Sequence, residues 1–199
     1  MTFNYLNYLH PDEYSKELVS GEKHVDAYYQ KKAETANYLS PKVIFEVGVR
    51  VGYSAAAFLF SNPTGTYIGL DSFLEGGFKD QERYVNQFLT TSFPKATINI
   101  IEGNSQNTIM RESILNKWRD VVDFIHIDGN HSYEGCYTDL WFGFRLSKNG
   151  GHIMVDDYLN PKFKNSVALA VDEFVKTTNL DMKIIESWRG DALIKVIKS

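Results

Sequence analysis

The sequence predicts an α/β protein whose central sheet is doubly wound, mainly parallel and closed by an antiparallel hairpin. From residue 42 onward, short apolar segments typical of strands alternate with segments of helical periodicity, which is typical of parallel sheets covered by helices on both faces. The last two strand candidates, 183–186 and 193–197, are joined by the short segment 187–192, which suits a hairpin better than a crossover. A glycine turn directly follows the first strand candidate.

The individual elements follow from composition and spacing. The first strand candidate, 43–47, reads Val-Ile-Phe-Glu-Val and lacks polar alternation, as expected for a parallel strand covered on both faces. Comparable segments predict further strands at 66–70, 97–101, 122–127 and 152–155. A helix is expected from residue 55, and the segments 133–146 and 167–175 place apolar residues at i, i+3, i+4 and i+7. Seven strands result.

Length and composition favour one large domain with a substantial core. The chain has 199 residues, of which 43% are hydrophobic and 14% aromatic. The first forty residues are polar and rich in tyrosine, with a helix expected over 25–39. We therefore expect an N-terminal helical cap or lid segment at 1–41 and a main domain at 42–199. Whether the first segment closes over a site or covers the sheet stays open.

Charge excludes some classes of partner. The net charge is −4 and no run of Lys or Arg occurs, so neither nucleic acid nor a membrane surface is an expected partner. A small or uncharged substrate is expected instead. The single cysteine, Cys136, excludes an internal disulfide, and no leader-like or membrane-spanning segment is recognisable. These features predict a cytoplasmic protein, and leave a homo-oligomer open.

The glycine turn reads EVGVRVGYS and predicts a cofactor site. Gly48 and Gly52 allow a tight turn and a close approach of the backbone to a ligand. Arg50 occupies the position where a dinucleotide fingerprint has its middle glycine, which argues against NAD or FAD. The alternative is a turn that only packs a helix on a strand.

Two further strand ends favour an adenosine. Asp71 ends the second strand, where a carboxylate is suited to accept hydrogen bonds from both ribose hydroxyls. Asn104, Ser105 and Gln106 follow the third strand and could hydrogen-bond an adenine. The alternatives are local: Asp71 holds the following loop, and Asn104 or Ser105 caps a helix.

Carboxylates at two neighbouring strand ends predict a metal site. Asp128 ends the fourth strand, and Asp156 and Asp157 end the fifth. Carboxylates at one rim of a sheet repel one another, and a divalent cation relieves that repulsion. Oxygen ligands suit Mg²⁺, or Mn²⁺. The alternative is a set of independently solvated acidic residues.

These motifs resemble known methyltransferases. E-x-G-x-x-x-G-Y-S resembles motif I of class I S-adenosylmethionine (SAM) methyltransferases, and GNSQ is similar to the G-A-S-Q segment of catechol O-methyltransferase. D-G-x-H-S-Y-E followed by G-G-x-x-x-x-D-D-Y is similar to the macrocin-type sugar O-methyltransferases. The resemblance covers about 43–197. It implies the Rossmann-like class I fold, SAM and Mg²⁺ held by Asp128, Asp156 and Asp157.

The resemblance also implies roles for single residues. His131 occupies the position that looks equivalent to the catalytic base, whereas Asn130 stands where the macrocin-type group often has an aspartate. His126, inside a strand, is expected to be structural. The residues expected to bind the cofactor are Glu46, Gly48, Gly52, Tyr53, Ser54, Asp71, Ser72, Asn104, Ser105, Gln106 and Asp128.

The predicted function is therefore metal-assisted methyl transfer to a hydroxyl of a small molecule such as a vicinal diol, a catechol or a sugar. Three alternatives remain at this point. They are a metal-independent or N-directed SAM methyltransferase, a non-catalytic SAM-binding protein, and a nicotinamide oxidoreductase.

Overall fold

A computed structural model of the chain describes residues 2–4, 7, 24–74, 80–187 and 189–198. Within these residues seven strands form one sheet in the order β3-β2-β1-β4-β5-β7-β6. The strands are β1 (Val43–Val47), β2 (Thr66–Asp71), β3 (Thr97–Glu102), β4 (Val122–Ile127), β5 (Ser147–Val155), β6 (Met182–Ile185) and β7 (Asp191–Lys195). Strands β1 to β5 pair in parallel, and β7 lies antiparallel between β5 and β6. The predicted fold class is confirmed.

Helices cover both faces of this sheet. Those in the described part of the chain are α1 (His24–Leu39), α2 (Tyr53–Ser61), α3 (Gln81–Ser92), α4 (Thr108–Trp118), α5 (Tyr133–Leu146) and α6 (Leu169–Thr178). A short 3₁₀ turn, Pro161–Phe163, and a π turn, Lys164–Ala168, precede α6. No helix among the described residues has the length and apolar character needed to cross a bilayer.

Two strands begin at least two residues before their predicted starts. Strand β5 begins at Ser147 rather than at residue 152, because the Gly150–Gly151 pair continues the ladder instead of forming a turn. The pairing of β5 with β4 is irregular in this part: the register shifts between Val122 and Phe124 of β4. Strand β7 begins at Asp191, two positions before the predicted start, which shortens the hairpin loop to 186–190.

The two faces of the sheet carry separate layers of the core. Along β1, Phe45 and Val47 face a layer built with α4, α5 and α6, whereas Ile44 faces a layer built with α1, α2 and α3. Alternation places Glu46 on the same face as Ile44, and its side chain is completely buried. The first strand therefore directs a carboxylate into the interior beneath α1 and α2.

Helix α1 belongs to this second layer. Ala33 and Ala36 are buried against α2, and the Ser61 hydroxyl donates a 2.7 Å hydrogen bond to the carbonyl of Ala33. The part of the predicted cap at 8–23 lies outside the described residues. The division of the chain at residue 41 stays a prediction.

Candidate active site

A cavity of about 1010 Å³ lies at the carboxyl ends of the parallel strands, where ligands bind in this class of sheet. Its described wall contains eight of the residues expected from the sequence. They are Gly48, Asp71, Ser72, Asn104, Ser105, Asp128, His131 and Asp157. The cavity has a half formed by β1, β2 and β3 and a half formed by the segments after β4 and β5. We call these the cofactor half and the acceptor half.

Six expected residues stand outside this wall. They are Glu46, Gly52, Tyr53, Ser54, Gln106 and Asp156. Each has a physical reason to lie away from the cavity.

Glu46 is the centre of a buried hydrogen-bond network. Its carboxylate accepts hydrogen bonds from the hydroxyls of Ser54 and Tyr67, and it lies 2.8 Å from Nδ1 of His126. These partners satisfy the carboxylate from within the protein. Glu46 and Ser54 therefore hold the strand and helix that flank the turn, and do not reach the cavity.

Gly52 and Tyr53 begin helix α2. Gly52 has φ = +87° at the N-cap, and a Cβ there would lie 3.3 Å from Val85 Cγ1. Tyr53 is buried, with its ring 5.7 Å from the ring of Tyr29 in α1. Both residues shape the turn from behind.

Gly48 is required by chain packing. Its φ is +89°, and a Cβ at this position would lie 2.0 Å from the carbonyl oxygen of Asp128. The sequence suggested that this glycine allows the backbone to approach a ligand. The structure shows that the close approach is between the ends of β1 and β4.

Asp71 is held rigidly at the mouth of the cofactor half. One carboxylate oxygen accepts a 2.7 Å hydrogen bond from the backbone N–H of Arg50, and the other accepts a 2.7 Å bond from that of Phe73. Arg50 and Phe73 both have left-handed backbones, with φ of 50° and 51°. Strained non-glycine residues cluster at functional sites. The carboxylate retains lone pairs for a ligand in the cavity.

The polar side chains of the segment after β3 lie partly on the cavity wall and partly against α5. Asn104 and Ser105 line the cavity, whereas the Gln106 amide donates 3.0 Å to Asp139 in α5 and 3.3 Å to the carbonyl of Gly135. The helix cap expected at Asn104 or Ser105 is formed instead by Asn107, which accepts from the backbone of the first turn of α4. Gln106 ties β3 to α5.

The acceptor half contains a compact polar cluster, Asp128, His131 and Asp157. Nε2 of His131 lies 3.3 Å from Oδ1 of Asp128 and 3.1 Å from Oδ2 of Asp157. One potential ligand atom from each residue lies within 4.8 Å of the others. This geometry is compatible with a shared cation.

The charges of the cluster are interdependent. Burial disfavours the charged imidazole, but hydrogen bonds with Asp128 and Asp157 raise the pKa of His131 to about 10. Burial and the nearby charge of Asp156 raise the pKa of Asp128 to about 8. At neutral pH and without a metal ion, His131 is therefore protonated, and Asp128 largely retains its own proton as well.

Local turn chemistry fixes the cluster. Oδ1 of Asn130 accepts from the backbone of Ser132, whose own hydroxyl oxygen caps α5 by accepting from Gly135. Asp157 has φ = 61°, and its Oδ1 accepts a 2.9 Å hydrogen bond from the amide of Asn160. The ring of Phe163 stacks on His131 with centroids 4.4 Å apart.

Asp156 is not part of this cluster. Its Oδ2 accepts a hydrogen bond from the hydroxyl of Tyr28 and lies 3.6 Å from the ammonium of Lys32, both in α1. Burial works to raise the pKa of Asp156, but the charge of Lys32 keeps it below its usual range. The structure thus groups Asp128 and Asp157 with His131 on the cavity wall and places Asp156 behind them.

Lys32 also connects Asp156 to the buried network around Glu46. Its ammonium lies 2.8 Å from Nε2 of His126, and burial together with the charge of Lys32 lowers the pKa of His126. Because an ammonium group can only donate, Nε2 accepts and Nδ1 carries the proton that faces Glu46. His126 is a neutral, structural residue at the centre of the buried network.

The sequence did not indicate three residues of this region. Phe163, Arg189 and Lys32 gave no signal, because each reaches its position through a fold-dependent contact. Arg189, in the loop between β6 and β7, places Nε 3.6 Å from Oδ1 of Asp157. Lys32 looks like any lysine of a polar helix, although its side chain is fully buried.

Comparison with solved structures supports the fold. An O-methyltransferase from Bacillus cereus in complex with S-adenosylhomocysteine (SAH) superposes with a TM-score of 0.66 at 14% identity, covering 84% of this chain and 80% of that one. A SAH-bound methyltransferase from Podospora anserina gives a TM-score of 0.61 at 19% identity, covering 86% and 78%. At these identities the likeness shows a shared fold.

Comparison with sequences gives a relative and a family. An uncharacterized protein of Acanthamoeba polyphaga mimivirus is 25% identical over 138 residues, which are 65% of this chain and 58% of that protein. The match thus spans less than two thirds of the relative. The family model described as "Methyltransferase domain" matches residues 45–158, more than half of the chain, and confirms the predicted methyltransferase class. The chain belongs to this methyltransferase family.

Proposed function

We propose that the protein is an O-methyltransferase that transfers the methyl group of SAM to a hydroxyl of a small molecule with the help of a divalent cation. The observation that carries the proposal is the cluster of Asp128, His131 and Asp157, which opens into the same cavity as Asp71. A base, two carboxylates and a cofactor half thus share one cavity.

The cofactor half suits an adenosine with a small polar tail. Asp71 would accept hydrogen bonds from the ribose hydroxyls, because its carboxylate is already oriented by two backbone donors. Ser72, Asn104 and Ser105 would lie near the adenine. The structures from Bacillus cereus and Podospora anserina are SAH-bound, which supports SAM as the cofactor. SAM supplies the electrophilic methyl group.

The donor set fits a divalent cation. Two carboxylates with oxygens near one another are suitable for Mg²⁺, and the nearby imidazole would be tolerated better by Mn²⁺. Asp128 and Asp157 would be the protein ligands, and Asp156 would stabilise the site from behind through its pair with Lys32. When bound, such an ion lowers the pKa of a coordinated hydroxyl and orients it.

His131 would act as the general base. Its Nε2 would take the proton of the acceptor hydroxyl, and Asp128 and Asp157 would stabilise the imidazolium that forms. A pKa of about 10 keeps His131 protonated at neutral pH. Carboxylates engaged with a cation attract that proton less, so cation binding would bring the histidine into its working range.

Two variants test the proposal. SAH release should be measured with hydroxylated acceptors, catechols and sugars among them, in the presence of Mg²⁺ or a chelator. His131→Gln should lower turnover on the order of 10² to 10⁴-fold while SAH affinity stays nearly intact. His152→Gln, the same substitution at a histidine outside the described cavity wall, is the matched control and should leave turnover unchanged. Undiminished turnover in His131→Gln would show that His131 is not the general base. Turnover that a chelator does not change would show that the reaction needs no metal ion.

A further inference from the structure

We infer that the acceptor molecule carries an anionic group, a carboxylate or a phosphate, beside the hydroxyl that is methylated. This inference rests on the proposed function and adds the substrate class. The structural observation is a pair of cationic side chains, Lys162 and Arg189, on the wall of the acceptor half.

Both cations lie one side chain away from His131. Phe163, which stacks on His131, also lies under the Lys162 ammonium at 5.0 Å from ring centroid to Nζ. On the other side, Arg189 contacts Asp157, which in turn contacts Nε2 of His131. A small molecule with its hydroxyl at His131 would therefore have both cations within reach.

The two segments that carry these cations are built together. The backbone N–H of Leu159 donates 3.0 Å to the carbonyl of Arg189, and Oδ1 of Asn160 accepts from the backbone of Lys162. Gly190 has φ = +61°, and its N–H is held by the hydroxyl of Ser187. The arrangement belongs to the fold of the site and not to a loose surface loop.

The charge balance favours an anion. Asp128 and Asp157 are the proposed ligands of a divalent cation, whose charge offsets theirs. Lys162 and Arg189 then contribute two positive charges to the wall of the acceptor half. Cavity walls focus such a field and attract a ligand of opposite sign.

The remaining wall is polar. In the described part of the acceptor half, Asn160, Ser132 and Ser166 accompany the two cations, and Phe163 is the apolar side chain. A flat apolar catechol would gain little from these groups, whereas a hydroxy acid or a sugar phosphate could use them. The expectation of a small or uncharged substrate, drawn from the overall charge of the chain, does not take these two local cations into account.

Calorimetry with matched ligands tests the inference. The protein, loaded with SAH and Mg²⁺, is titrated with catechol against 3,4-dihydroxybenzoate, and with glucose against glucuronate and glucose 6-phosphate. Inorganic phosphate is the minimal probe. In at least one pair the charged member should bind roughly tenfold more tightly, the range expected for hydrogen bonds to charged groups. Whichever charged group gives the larger gain in affinity, carboxylate or phosphate, identifies the anion.

Substitutions identify the side chains responsible for the preference for charged ligands. Lys162→Met should reduce the affinity for the charged member several-fold and leave the neutral member unchanged. Lys164→Met is the matched control, because Lys164 is exposed two residues further on and outside the described cavity wall. Arg189→Lys retains charge beside Asp157 but loses the planar fork, and should weaken carboxylate binding while Mg²⁺ binding stays intact.

Three results would overturn the inference. They are equal binding of the charged and neutral members, affinity for the charged member that survives Lys162→Met, and a lack of saturable binding by every charged probe, phosphate included, at about 10 mM. The SAH and Mg²⁺ isotherms recorded on the same samples test the proposed function separately. If the SAH and Mg²⁺ isotherms are normal but no anion binds, the proposed function is retained and the anionic substrate is rejected.

Discussion

The ammonium of Lys32 and the carboxylate of Asp156 form an ion pair of 3.6 Å inside the protein, with 0% and 1% of their side chains exposed. Lys32 also lies 3.8 Å from the buried carboxyl group of Asp191 and bonds to His126. The pair joins helix α1 to the end of β5, next to the residue that enters the cavity. Helix α1 is thus linked to the candidate site through charge as well as packing.

Removing Lys32 should therefore destabilise the fold. Lys32→Met leaves Asp156 without its buried cation, and breaking such a pair costs about 3 to 5 kcal/mol of unfolding free energy. Urea unfolding measures the change. The control is Lys31→Met, because the neighbouring Lys31 forms an exposed i,i+3 pair with Glu34 and should change stability by less than about 1 kcal/mol. Equal effects of both substitutions would show that the buried pair adds no stability.

His131 should titrate near pH 10 in the metal-free protein. Its pKa is raised to about 10 by the two carboxylates, although burial opposes this. His152 provides an internal control, since burial and the charges of Lys195 and Lys183 lower its pKa. The imidazole signals of both residues can be followed by NMR. Titration of His131 near the ordinary value of 6.5 would contradict the charge assignment.

The same shift predicts a pH dependence of stability. The folded pKa of His131 exceeds the value of about 6.5 expected in the unfolded chain, so its stabilising contribution is complete below pH 6.5 and is lost as pH rises through 10. The difference in unfolding free energy between wild type and His131→Gln, measured without metal, should shrink over that range. A constant difference would contradict the linkage.

Gly48 should tolerate no side chain. Gly48→Ala would place Cβ 2.0 Å from the carbonyl oxygen of Asp128 at φ = +89°, so backbone strain and a steric clash add. We expect a loss of about 3 kcal/mol or more in thermal or urea unfolding. Gly150→Ala is the matched control, with φ = +82° and open space around its Cβ, and should cost about 1 kcal/mol. Similar losses in the two variants would mean that the clash is relieved by a small shift.

Asp71 should control cofactor affinity. Asp71→Asn removes the charge that would bind the ribose hydroxyls, and SAH affinity measured by calorimetry should fall by about 1 to 3 kcal/mol. Asp123→Asn is the control, because Asp123 likewise accepts two backbone hydrogen bonds, from Lys42 and Val43, at the start of β1. Equal SAH affinity in wild type and Asp71→Asn would place the ribose elsewhere.

Much of the fold could be predicted because the relevant signals are local. The apolar strands, the glycine turn and the short final loop appear directly in the sequence, and the sheet order follows from a known class of topology. The bounds of β5 could not be predicted, because Gly150 and Gly151 signal a turn locally while pairing of strands continues through them.

The site was predictable only in part for a geometric reason. Asp156 and Asp157 follow the end of β5 in a turn, where the left-handed backbone of Asp157 separates the two side chains: Asp157 lines the cavity and Asp156 does not. The sequence does not reveal which one turns inward, because the buried partners of Asp156 come from α1, far away along the chain. Glu46 likewise turns away from the cavity toward a partner that is distant in sequence, since His126 lies on a neighbouring strand.

A calorimetric titration of Mg²⁺ into the SAH-loaded protein tests the central claim most directly. We predict one site per chain in the wild type, a loss of binding in Asp157→Asn, and unchanged binding in Asp181→Asn, which alters an exposed carboxylate away from the cavity. Failure of the wild type to bind Mg²⁺ or Mn²⁺, or binding that persists at comparable affinity in Asp157→Asn, would contradict metal-assisted methyl transfer at this cluster.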